Sequence, residues 1–266
     1  MTGTHSILDG ASPSDVSDSP FAHLLRVDCL PEALFRELSQ AMPRPNVPAN
    51  TPQNFLALLD PFEPQVASRL TEDWQRFVAH HTSPAFFQSI ARVMGPAIQR
   101  AHPDIEARLG VPLHAASTAR ANDPVALRHP GAAAVRLGLQ FGFNTPVTTP
   151  SSVRGAHIDK ARRLLSALLY FPEPGDDAGG DLMLYRYRGA RRLHGVSVDL
   201  KDAEPVSRIA YAPNTLIMFV NSVDAVHGVL PRRPTSHIRR YVNFFVDLAD
   251  DFIDSRPYQI TAPVGA

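Results

Sequence analysis

The feature that most constrains this chain is a change of hydrophobic period near residue 130. Before it, apolar residues recur at three- and four-residue spacing, as on helices; after it they alternate with polar residues or glycine, as on strands. The run Val135-Arg-Leu-Gly-Leu-Gln-Phe-Gly-Phe143 shows the second pattern most plainly. Further strand candidates are 164–171, 181–187, 196–200, 206–211, 215–220, 225–230 and 240–248. Turn-forming stretches such as Pro172-Glu-Pro-Gly175 and Ala212-Pro-Asn214 join them. Seven or eight short strands after a helical half predict a mixed α and β fold, a jelly-roll-type barrel buttressed by N-terminal helices. A doubly wound parallel sheet is disfavoured, because long helices do not alternate with these strands.

Residues 1–20 are rich in Ser, Asp, Thr and Gly and are expected to form a flexible leader. Residues 21–266 are expected to be one domain: a mainly helical support region over 21–130, the jelly-roll core over 131–250 and a tail over 251–266. Within the support region 21–27 reads as a short strand. Asp28 then caps a helical pattern, with Pro31 early and Leu30, Leu34, Leu38 and Met42 at four-residue spacing. Four prolines make 43–53 a loop. The texture from 54 to 109 is helical, with Ser83-Pro84 opening a helix that carries Phe86, Phe87 and Ile90.

Composition excludes several classes of function. The single cysteine, Cys29, cannot form an intramolecular disulfide and rules out zinc-cysteine clusters. Twenty-six basic residues balance twenty-six acidic ones, so nothing draws in a polyanion and no nucleic-acid partner is expected. The first twenty residues lack a basic start and an apolar stretch, and nowhere do eighteen apolar residues run together. The expectation is a cytoplasmic protein with no membrane partner; oligomeric state stays open.

There are eleven histidines, and most should be structurally ordinary. A His-x-Asp pair on an extended strand points both side chains to one face, where they can reach one metal. With eleven histidines and nineteen aspartates in 266 residues, roughly one such pair arises by chance, and the chain has two. His102-Pro-Asp104 falls between helical segments and reads as helix punctuation. His157-Ile-Asp159 lies between strand candidates, and a third candidate ligand, His227, follows the strand at 215–220. Two imidazoles and one carboxylate leave half of an octahedral iron site open; a tetrahedral zinc hydrolase could use the same set.

Taken together, Gly155-Ala-His-Ile-Asp159, Leu168-Leu-Tyr-Phe-Pro172, Gly179-Gly-Asp-Leu-Met-Leu-Tyr185, Ala212-Pro-Asn-Thr-Leu-Ile-Met-Phe219, His227-Gly-Val-Leu-Pro231 and Arg240-Tyr-Val-Asn-Phe244 resemble the core of the Fe(II)/2-oxoglutarate-dependent dioxygenases, in particular their prolyl-4-hydroxylase-like branch. The resemblance covers about residues 135–248, and its elements come in the family's order. It implies a double-stranded β-helix (jelly-roll, cupin-like) core, and iron held by His157, Asp159 and His227. It further implies 2-oxoglutarate and O2 as co-substrates, with Arg240 and Tyr170 on the distal carboxylate of 2-oxoglutarate. Guanidinium suits that role, since its planar fork matches a carboxylate and stays charged when buried. Arg239 points to the opposite face, so one of the two arginines serves; Arg240, in register with Val242 and Phe244, is preferred. A serine frequent two residues after the family's arginine is Val242 here.

The activity so implied is hydroxylation of an unactivated C–H bond, with release of succinate and CO2. Asp159 argues against a halogenase, whose site lacks this carboxylate. A small molecule is the first expectation for the substrate: an amino acid derivative, a biosynthetic intermediate or a sugar-linked compound. Phe143 and Arg154 are candidates to line its entrance. The rival readings are a prolyl-type protein or peptide hydroxylase and a non-catalytic metal- or ligand-binding module.

Overall fold

The computed structural model describes residues 5–260. Its organising element is strand β11 (Arg239–Leu248), which lies between β5 (Val135–Asn144) and β6 (Arg163–Tyr170), antiparallel to both. Beyond β6 the sheet continues through β9 (Leu216–Val220), β2 (His23–Arg26) and β1 (Val16–Ser17). Beyond β5 it ends in β3 (Leu56–Leu59), with the short β4 (Thr118–Arg120) parallel to the start of β5. A second sheet has the order β10 (His227–Val229), β7 (Leu182–Tyr187), β8 (Ala203–Ile209).

Both faces of the large sheet are buried, and its alternation divides them. Phe141, Phe143, Val242, Phe244, Leu165 and Leu169 face outward into a core completed by helices. These are α1 (Glu32–Gln40), α2 (Pro64–Ala67), α3 (Glu72–His81), α4 (Pro84–Ala101) and α5 (Ile105–Leu109); a short α6 (Pro124–Arg128) follows. Thr71 and Ser83 cap α3 and α4 by accepting the amide protons of Trp74 and Phe86, so both helices begin where the sequence signals them. Trp74 is fully buried between Phe77, Phe141 and Phe171. Tyr170, Ile217, Phe219 and Tyr241 face inward, onto Leu182 and Leu184 of the small sheet. Gly142 is opposite Tyr241, and a Cβ there would overlap the tyrosine ring.

Several expectations need correction. The supposed leader is packed over its described part: Ile7, Leu8 and Ala11 are buried in the helical core, and Val16–Ser17 forms β1. The anchor is His81, where burial depresses the imidazole to about 3 despite its bond to the Phe77 carbonyl. The neutral ring donates from Nδ1 to Phe77 O at 2.7 Å and accepts the Ile7 amide at Nε2, 3.1 Å. Three apolar side chains and one buried acceptor outweigh a polar composition. Residues 1–4 of that leader and 261–266 of the tail lie outside the described residues. Residues 56–59, read as helical, form β3, because an apolar run of that length fits either period. Residues 196–200 form no strand, only single bridges at Ser197. No helix among the described residues is long and apolar enough to cross a membrane.

Ile7→Ala is therefore expected to destabilise the protein by about 2–4 kcal/mol in urea unfolding, as for a core aliphatic. A mobile leader would leave the midpoint unchanged.

Candidate metal centre

His157 and His227 are brought together by main-chain pairing. Each donates its amide to the other's carbonyl, at 2.8 and 2.9 Å, which sets the rings side by side with centroids 4.2 Å apart. Gly228 permits that approach, since a Cβ on it would press on the Gly155 carbonyl and the Ala156 amide. Each Nδ1 bonds a carbonyl two residues back, His157 to Gly155 O at 2.8 Å and His227 to Ala225 O at 2.9 Å. Nδ1 therefore carries the proton, and both Nε2 lone pairs are free for a metal.

Asp159 completes the set. Its Oδ1 is 3.9 Å from His157 Nε2, and the three candidate ligand atoms lie within 4.8 Å of one another. Oδ2 is engaged elsewhere: Ser166 Oγ donates to it at 2.5 Å. Arg163 Nη1 donates to Ser166 Oγ at 3.1 Å, and Asp247 accepts from Arg163 and Lys160. This chain leaves one carboxylate oxygen for the ion. Among the described residues no other cluster of His, Cys, Asp and Glu meets this geometry.

The protonation states suit a divalent cation. Burial lowers His157 to about 3, helped by His227 and Arg154, and burial also lowers His227. Burial works to raise Asp159, but His227, Arg163 and the Ser166 hydroxyl outweigh it and bring the carboxyl down to about 2. At neutral pH the site thus presents two neutral imidazoles and one carboxylate, with no proton for a metal to displace. All three ligands line a cavity of about 680 Å³, and three protein ligands leave half the positions of a six-coordinate ion open.

The arginine facing this cavity is Arg239, not Arg240. Arg240 donates to the carbonyls of Ser39, Phe171 and Pro172 on the outer face of the sheet, where it ties α1 to the end of β6. The apolar set Val242 and Phe244, with which Arg240 alternates, faces the helices; the lumen face is Arg239, Tyr241 and Asn243. Phe143 pairs with Arg240 and shares its face, so it belongs to the helical core and does not line the entrance. Arg154 does line it, exposed at the rim.

Arg239 is 1% exposed, and its guanidinium carbon lies 5.3, 4.8 and 4.9 Å from the ring centres of Tyr170, Tyr211 and Tyr241. Nε donates to Gly180 O and Nη1 to Asn144 Oδ1. Nη2 has no partner, nor have the Tyr170 hydroxyl or Asn144 Nδ2. Burial pushes the Tyr170 hydroxyl up to about 12 against the lowering pull of Arg239, so it stays protonated as a donor. Three buried donors without acceptors, one of them on the guanidinium that lines the ligands' cavity, fit one missing group, a carboxylate. Sequence reasoning weighed Arg239 and set it aside for Arg240, and it missed Asn144 and the Ser166–Arg163–Asp247 chain. The signal for Arg239 was the polar half of the alternation in Arg239-Arg-Tyr-Val-Asn243.

No protein-family model and no curated protein matches the chain. It is similar in structure to prolyl-4-hydroxylases and 2-oxoglutarate-dependent oxygenases. A Pseudomonas putida prolyl-4-hydroxylase is 18% identical, with 85% of this chain and 92% of that one covered and a TM-score of 0.42. EvdO2 from Micromonospora carbonacea var. aurantiaca, solved complexed with 2-oxoglutarate, is 14% identical, covering 90% and 92%, with a TM-score of 0.43. The non-heme alpha ketoglutarate dependent epimerase SnoN from nogalamycin biosynthesis is 11% identical, covering 85% and 78%, with a TM-score of 0.46. At this identity and overlay the site's own side chains carry the functional reading.

Ser166→Ala is expected to weaken divalent-metal binding by roughly 10- to 100-fold in a competition titration, the usual effect of losing a partner behind a ligand. An unchanged affinity would mean that Asp159 does not need the hydroxyl to hold its geometry.

Proposed function

We propose that this protein is an Fe(II)- and 2-oxoglutarate-dependent oxygenase that hydroxylates a C–H bond of a small-molecule substrate. The observation that carries the reading is one cavity lined by His157, Asp159 and His227 and by Arg239, whose Nη2, like the hydroxyl of the adjoining Tyr170, has no partner. On this reading the two sheets form a double-stranded β-helix, with the 155–159 segment pairing beside β10 as its remaining strand.

Iron with 2-oxoglutarate and O2 supplies the oxidising power for hydroxylation. The chain's residues do the rest. His157 and His227 offer Nε2 because their Nδ1 protons are committed to carbonyls. Asp159 offers one oxygen because Ser166 holds the other. Arg239 and Tyr170 receive the far carboxylate of 2-oxoglutarate, and the tyrosine cage keeps water from the guanidinium. That orientation leaves the keto-acid end of the co-substrate for the metal.

A cavity of about 680 Å³ is in the usual range for small ligands, which favours a small-molecule substrate. The second reading, a peptide, draws on β3, an edge strand of the large sheet beside the entrance.

The test is anaerobic addition of Fe(II) and 2-oxoglutarate to metal-free protein, reading the weak visible charge-transfer band of the chelate. His157→Ala should abolish the band. Arg239→Ala should raise the 2-oxoglutarate needed by about 10- to 100-fold, the worth of lost hydrogen bonds to a charged group. Arg240→Ala should change it no more than about threefold. A protein that binds iron yet gives no band would leave only a non-catalytic metal-binding module.

A further inference from the structure

Five charged side chains line the cavity over the metal ligands: Arg154, Lys160, Arg163 and Arg239 against Asp159 alone. Asp247, behind the wall, takes both Lys160 and Arg163. Arg239 is committed to the co-substrate carboxylate. A divalent metal and a dianionic co-substrate, set against Asp159 and Arg239, cancel. The loaded site therefore keeps an excess of positive charge, and Arg154 is its one cation without a counter-ion among the described residues.

The backbone of Arg154 is fixed although its side chain is free. Its carbonyl accepts from Val229 N at 2.9 Å and Ser152 Oγ at 3.1 Å, and its amide donates to Ser152 Oγ at 3.2 Å. Across the entrance stand Phe55, Leu56 and Leu58, which are 48%, 39% and 44% exposed. Leu56 and Leu58 are opposite Asn144 and Gly142, the lumen-facing positions of β5, so they overhang the cavity. This wall is also held at its base, because Phe55 N donates to Thr145 Oγ1 and Thr145 N to Phe55 O. Three large apolar side chains left in water and a free guanidinium lining the same cavity make a two-ended entrance.

We propose that this entrance recognises an amphipathic small-molecule anion, with its apolar body on Phe55, Leu56 and Leu58 and its oxyanion head on Arg154. The charge balance of the loaded site and the word substrate for that ligand rest on the oxygenase reading above; the free Arg154 guanidinium and the apolar wall do not. A carboxylate and a phosphate offer the same recognition chemistry, and a cation of the same shape meets the surplus positive charge.

The test uses matched probes by calorimetry: 6-phenylhexanoate, 6-phenylhexyl phosphate, 6-phenylhexanamide and 6-phenylhexylammonium. Either anion should bind at least tenfold more tightly than the amide, and the ammonium more weakly than the amide. The stronger of the two anions identifies the head group. Arg154→Gln should erase the preference for the anions while leaving the amide unchanged, and Arg154→Lys should restore part of it. Leu58→Ser should weaken anions and amide alike. Equal binding of anion and amide, or a preference that survives Arg154→Gln, overturns the proposal. Repeating the titrations on metal-free protein separates the two claims. A persistent anion preference without the visible band sinks the oxygenase reading alone, and a band without the preference sinks this one alone.

Discussion

A sheet buried on both faces governs this molecule, and β11 is its centre. Ten residues of β11 pair with β5 and seven with β6, so the side chains of one strand are dealt alternately to two interiors. Val242, Phe244 and Val246 go to the helices; Arg239, Tyr241 and Asn243 go to the lumen. The helical half is thus what makes the outer face apolar, and the outer face is what allows the inner one to be polar. A single-residue slip in register would put Arg239 among phenylalanines and empty the lumen of its cation.

Much of the fold was legible because it depends on period. The strands at 135–143, 164–171, 181–187 and 215–220 lie within a few residues of β5, β6, β7 and β9, and the helix at Ser83-Pro84 starts where cap and proline put it. His157, Asp159 and His227 could be picked out by spacing and order, and the structure places them together. The arginine could not. Alternation shows that Arg239 and Arg240 face opposite ways, but the sequence pattern does not say which side is the lumen when both are buried. Taking the apolar partners as a mark of the barrel interior selected Arg240, and position just before the metal motif selected Phe143; both lie on the helical side. The leader misled in the opposite sense, because its composition is polar while Ile7, Leu8 and Ala11 carry its packing.

Electrostatics ties the site to its surroundings. The Arg232–Asp176 pair is wholly buried, and the stems of Arg232 and Arg239 meet beside Gly180. Ion pairing at Asp176 and Asp247 neutralises Arg232, Arg163 and Lys160 in part, while Arg239 and Arg154, both lining the cavity, pair with no carboxylate among the described residues. Arg239 is buried and Arg154 is exposed at the rim, so the two guanidinium groups stand at different depths of one cavity. Burying charge in this way costs stability unless a ligand repays it, which is the mark of a site shaped for binding.

The most direct test of the account is a crystal structure of the protein grown anaerobically with Mn(II), as an inert stand-in for iron, and 2-oxoglutarate. The account predicts one anomalous peak within bonding distance of His157 Nε2, His227 Nε2 and a single oxygen of Asp159, with the far carboxylate of 2-oxoglutarate on Arg239 Nη2 and the Tyr170 hydroxyl. A peak at any other residues, or a carboxylate seated on Arg240, would contradict it.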